Sequence, residues 1–167
     1  MNIQKSFMAL VMTVWGGQSM AQSQTYKIDM GSVHIKAMEA SSTETISHVM
    51  PADCPDTILK IQSSGGSVSI SHAGKRCKSG AQIVIPIRLN VDTNLTLAAG
   101  NVEFTDAQSA VTKLSEIRLA VNAGAIRSST VPSTRTSDYA GQKGTLRNSR
   151  GNGHSLSIQV EAGTIGF

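Results

Sequence analysis

The chain has 167 residues, 40% hydrophobic, 16% charged and 4% aromatic, with a net charge of +4. That length suits one ordinary domain with a real core. A mild positive balance permits attraction to anionic surfaces, but with so few aromatic platforms it argues against nucleic-acid binding.

Residues 1–21 read as a secretory signal. Lys5 gives a short positive start, Phe7 to Trp15 is apolar, and Ser19-Met20-Ala21 fits the small-x-small pattern before a cut. The apolar run of about 10 residues is half the roughly 20 needed to span a bilayer. Gln22 is the expected mature start, leaving 146 of the 167 residues. Losing Lys5 lowers the net charge to +3. No later segment is long enough to cross a membrane, so the protein is expected in the periplasm, at the cell surface or outside the cell.

Residues 22–167 read as a single β domain. Five glycines share one apolar template, with apolar residues at −7, −5, −3, +2 and +4. Gly31 has Tyr26, Ile28, Val33 and Ile35; Gly66 has Leu59, Ile61, Val68 and Ile70. Gly100 has Leu95, Leu97, Val102 and Phe104; Gly124 has Ile117, Leu119, Val121 and Ile126. Gly163 fills all five places with Leu156, Ile158, Val160, Ile165 and Phe167. Alternation with period two means strands with one buried face. The odd step across each glycine means that the chain turns there.

Within 22–90, Gly65-Gly66 predicts a two-residue hairpin turn that sets Ile61 against Ile70. The same register sets Cys54 against Cys77, and an even cysteine count in an exported chain reads as one disulfide. Such a bridge contributes about 3 kcal/mol. Pro51, Pro55 and Pro86 mark edges, turns or strand starts. Ile83-Val84-Ile85, then Ile87, Leu89 and Val91, predict a buried strand.

Within 91–167, glycines 100, 124, 144 and 163 recur roughly every 20 residues, the spacing of a β-solenoid. The Gly144 repeat is degenerate. Asp106 to Glu116 competes: Ala107, Ala110, Val111 and Leu114 have helical spacing, and Asp106 could cap a helix. Helix and loop both remain open there. Spacing equally allows an antiparallel sandwich or meander, with pairs such as Val160–Ile165.

The stretch 83–167 resembles the DUF4097 family of adhesin-like domains, to which DUF2807 is related. The carrying residues are Ile83-Val84-Ile85-Pro86, Leu95 to Val102, Val121 to Ile126, and Val160 to Ile165. The resemblance implies a right-handed parallel β-solenoid in exported bacterial proteins, with no catalytic residues to carry over. The Gly144 gap and the cysteine-bearing first half depart from it.

No nucleophile elbow, phosphate-cradling loop or H-E-x-x-H occurs. His34, His48, His72 and His154 are scattered, and there is no C-x-x-C, so no metal site or cofactor is expected. Glu103 and Asp106 are the candidate carboxylate pair, and a polysaccharide-cleaving enzyme is the minor alternative. Arg127, Arg135, Lys143, Arg147 and Arg150 lie in a polar, glycine-rich region. They are the candidate anion contacts, because forked guanidinium groups suit phosphate and acidic sugars; a solvated loop face is the bland alternative. The expectation is a non-enzymatic, adhesin-like or structural envelope protein. Its partner would be an anionic envelope polysaccharide or another envelope protein, and a fimbria-like assembly subunit is the structural alternative.

Overall fold

The structure, a computed structural model, describes residues 23–38, 42–51, 58–74, 80–135 and 140–167. Alternating apolar residues make most of these strands. In chain order they are β1 Gln24–Met38, β2 Ser47–Val49, β3 Ile58–Ser64, β4 Ser67–Ala73, β5 Gln82–Arg88 and β6 Thr93–Phe104. Then follow α1 Ala107–Lys113, β7 Glu116–Arg127, β8 Ser133–Arg135, β9 Gln142–Arg147 and β10 Ser155–Gly166. The all-β expectation holds. The cysteines at 54 and 77, the signal segment and Pro55 lie outside the described residues.

The strands form one open, mixed sheet in the order β2-β5-β1-β6-β10-β7-β9-β8. The middle four, β1, β6, β10 and β7, are all parallel. The hairpin β3–β4 joins the same edge of β1 as β5, so β1 changes neighbour along its length. Ile61 faces Ile70 across that hairpin, as the Gly65-Gly66 turn predicted.

A solenoid would stack its strands in chain order. Here β10, last in sequence, lies between β6 and β7, so the four long strands are not successive coils. The antiparallel alternative also fails for them: Val160 pairs with Leu97 and Val121 rather than Ile165. Both expectations went wrong at the same point, because the chain does not turn at most of the glycines. Gly31, Gly100, Gly163 and Gly124 sit inside strands and align with one another across the sheet. Their φ angles run from +133° to +148°, a region open to glycine, so the strand continues while its pleat changes phase. Only Gly66 reverses the chain. The odd step in the template is therefore a phase change along one line of the sheet.

That phase change keeps both halves of each long strand facing one interior. Ile28, Leu97, Val160 and Val121 precede the glycines; Val33, Val102, Ile165 and Ile126 follow them. All eight are buried in a single cluster with Ile83, Ile85 and Ile87 of β5. Each fully buried aliphatic side chain is worth about 1.5–3 kcal/mol. Phe104 and Phe167 close one end, with ring centroids 5.1 Å apart. Pro86 is buried within β5, but β2 reaches only Val84, so the missing N–H faces a stretch with no strand partner among the described residues.

The competing helix exists as α1 and ends one turn early. Ala110 and Leu114 are buried, and Ala107 and Val111 pack on the core. Asp106 does not cap it with its side chain; its carbonyl accepts from the Ser109 and Ala110 N–H groups instead. Gly144 is no turn either. It lies in β9 opposite Leu119, where a Cβ would come within 2.8 Å of the Pro132 carbonyl oxygen.

Where β1 leaves β4 for β5, Asp29 holds the branch together. Its carboxylate accepts from the His72 N–H at 2.7 Å and the Met30 N–H at 2.6 Å, and lies 2.7 Å from His72 Nδ1. Partial burial pushes the Asp29 carboxyl up, but these bonds outweigh it and leave the group below its ordinary range. A depressed carboxyl stabilises the fold above its unfolded pKa of about 3.9, and that contribution is lost as pH falls through the folded value. Asp29→Asn should therefore cost about 1–2 kcal/mol at neutral pH and much less at pH near 3. Urea titrations at the two pH values check this; an equal loss at both would refute it.

Candidate functional site

Alternation that sends Leu95, Leu97, Ile158, Val160, Leu119 and Val121 inward sends their neighbours out. Because the strands are in register, the outward side chains line up in rows across the sheet. One row runs Thr25, Asn94, Ser157, Arg118 and Thr145 over β1, β6, β10, β7 and β9. The next runs Lys27, Thr96, Gln159, Ala120 and Lys143 over the same strands. The hairpin extends them with Ser67 and Ser64, and with Ser69 and Gln62; β8 adds Thr134 beside Lys143. At about 4.8 Å per strand the longer row spans roughly 34 Å.

Every one of these side chains is exposed or half-exposed. Parallel sheets normally have both faces covered. Among the described residues this one shows water a broad face of hydroxyl and amide groups. Its charged members are Lys27, Arg118 and Lys143, and no acid interrupts either row.

Acids flank the two rows, each engaged by the protein itself. Glu161 accepts from Asn122 and from Gln159, and Asp29 holds His72. Glu116, half-buried at the foot of β7, pairs with Arg118 and, at 3.3 Å, with Arg147. The bond from Arg118, joined by the one from Arg147, holds the Glu116 carboxyl below the usual carboxylate range. Lys27 and Lys143 form no salt bridge among the described residues. Beside this corner lies an open depression of about 520 Å³ lined by Ser115, Glu116, Arg147, Asn148 and Ser149.

The five basic residues expected from sequence are only partly brought together. Lys143 and Arg147 share the outer face of β9, and Arg150 follows in the turn where its N–H donates to Asn148 Oδ1. Arg135 pairs with Gln142 and so lies on the opposite side of the pleat from Lys143. Arg127 lies beyond Gly124, beside Gly166, away from the corner. Arg118 was missed, although its place between inward Ile117 and Leu119 marked it as outward. Lys27 was missed because nothing local links β1 to β9.

The histidines behave as scattered residues. His34 Nδ1 is 3.4 Å from Glu103, and His154 Nδ1 is 3.9 Å from Asp92. His72 is 7% exposed, and its Nε2 has no hydrogen-bond partner among the described residues. No cluster of metal-ligating side chains occurs among the described residues. Nor is any described helix long and apolar enough to cross a membrane, which says nothing of strands.

No family model and no curated protein matches the chain. Among solved structures, a "putative cell adhesion protein" from Clostridium sporogenes is similar over 87% of this chain and 92% of that one, at 10% identity and a TM-score of 0.34. A likeness that loose carries no argument, so the family resemblance rests on the sequence motifs alone.

Proposed function

We propose that this is an exported, non-enzymatic, adhesin-like protein of the cell envelope, and that the outer face of β1, β6, β10 and β7 is its contact surface. The observation that carries this reading is the exposed parallel sheet itself. Such a sheet is stable with a wet face only when that face is polar, and in these two rows every residue but the small Ala120 is polar. Export is supported by the leader-like residues 1–21, and the hairpin register supports a Cys54–Cys77 bridge.

Two measurements test it together. Protein recovered from the host should lie in the envelope or outside the cell. It should begin at Gln22 and weigh two hydrogens less than the reduced chain. Isolated envelopes should retain the wild type about tenfold better than Asn94→Trp, which plants a bulky ring on the exposed face at no cost to the core; tenfold corresponds to about 1.4 kcal/mol. Recovery from the cytoplasm with residue 1 intact would overturn the export reading. Equal retention of the Trp variant would overturn the contact surface.

A further inference from the structure

Resting on that reading of the outer face, we infer that its ligand is a linear anionic polysaccharide lying across the strands, along the two acid-free rows. Charge decides the sign of the ligand. The rows hold Lys27, Arg118 and Lys143 and no carboxylate. Arg118 is itself paired with the flanking Glu116, which Arg147 also meets, so the unpaired positive charge of the rows is that of the two lysines. The two lysines are free of salt bridges among the described residues, and both are exposed. Forked guanidinium groups and ammonium groups both take carboxylate or sulfate.

Chemistry between the cations decides the class. Asn94, Ser157, Thr96 and Gln159 each both donate and accept, matching the hydroxyl groups of sugars. Among the described residues no aromatic side chain faces outward here: Tyr26, Phe104 and Phe167 all pack with the core. Bases and neutral sugar rings would have nothing to stack on. Polar contacts and charge must hold the ligand.

Geometry decides the direction. Lys27 on β1 and Lys143 on β9 lie in one row, four strand steps or roughly 19 Å apart. A chain following that row meets a hydroxyl or amide group on each of the first two strands it crosses after β1. It then reaches the Arg118 and Lys143 corner. A ligand running along the strands would meet only one of the two lysines.

The test uses polygalacturonate oligomers of graded length, with dextran as the neutral control and single-stranded DNA as the non-sugar polyanion, measured by calorimetry. Long oligomers should bind, weaken with added salt, and exceed both controls. Lys143→Ala should weaken all lengths roughly three- to fivefold. Lys27→Ala should weaken, to the same degree, only oligomers long enough to span roughly 19 Å. Lys113→Ala, on α1 and off the face, should change nothing.

If Lys27→Ala affects short and long oligomers alike, the crosswise placement is wrong. Equal binding of DNA would overturn the polysaccharide class. Failure of every anionic sugar to bind, while Asn94→Trp still loses envelope retention, would leave the contact surface standing and make its partner a protein.

Discussion

Replacing Gly163 by alanine should unfold the domain, while the same change at Gly31 should be milder. Gly163 lies between Gly100 and Gly124 in adjacent strands. An ideal Cβ on Gly163 would fall on the backbone carbonyl of Gly100. One on Gly124 would fall on the carbonyl of Gly163, and one on Gly100 on that of Gly31. Each glycine thus leaves room for its neighbour's main chain, and relief would require moving backbone. The positive φ adds its own strain, about 1–3 kcal/mol. Together these should cost more than about 3 kcal/mol, a large share of the roughly 5–15 kcal/mol that holds a domain together.

Gly31 is the end of the line, and its Cβ would come within 2.6 Å of the Ala81 carbonyl oxygen, a milder clash than the overlap at Gly163, and otherwise make ordinary contact with Ile83. Gly65→Asn is the control. Gly65 has φ +55° in the hairpin turn with nothing near its Cβ position, and asparagine tolerates that conformation. Circular dichroism melts of the three variants rank them. A Gly163→Ala protein melting like the wild type would refute the ladder.

Ending the chain at His154 should leave no folded sheet at all. β10 is last in sequence but central in the sheet, paired with β6 along one edge and β7 along the other. Its loss removes buried Leu156, Ile158, Val160 and Ile165, roughly 6–12 kcal/mol of apolar burial by itself. It also strips two long strands of backbone partners, and unpaired buried amides add to the cost. The truncated protein should show no cooperative melt and should bind a dye for exposed apolar surface. A cooperative transition at the wild-type temperature would show that β6 and β7 hold together without it. The sheet therefore completes only when β10 is available to fill the place between β6 and β7.

Part of this was legible in the residues. The template −7, −5, −3, +2, +4 gave the buried side chains around Gly31, Gly100, Gly124 and Gly163 apart from half-buried Phe167, since period-two alternation reports burial whatever the partner strand is. Around Gly66 only Ile70 is buried, and Leu59, Ile61 and Val68 are half-buried on the edge hairpin. Gly65-Gly66 gave a hairpin and its register, because a two-residue loop fixes pairing locally. It also held the clue that separates Gly66 from the other four. A glycine pair makes a tight turn, whereas the single glycines at 31, 100, 124 and 163 mark positions that align across strands. Reading all five as turns produced the solenoid and meander expectations together.

The outer site was less visible. Its contributing residues lie on strands as distant as β1 and β9, and each looks like an ordinary solvated position within its own strand. Arg135 and Arg127 looked equivalent to Lys143 and Arg147, until pleat side and strand position separated them.

The amino-acid sequence alone determined that the protein is made of half-buried strands, which side chains enter the core, and where one hairpin closes. Tertiary structure decided the order β1-β6-β10-β7, the meeting of four glycines in one line, and the acid-free rows facing water. The reason is physical. The four long strands carry nearly the same inward pattern, so any order, parallel or antiparallel, buries similar apolar area. Only the backbone fit at the glycines and the packing of the whole sheet can choose among them.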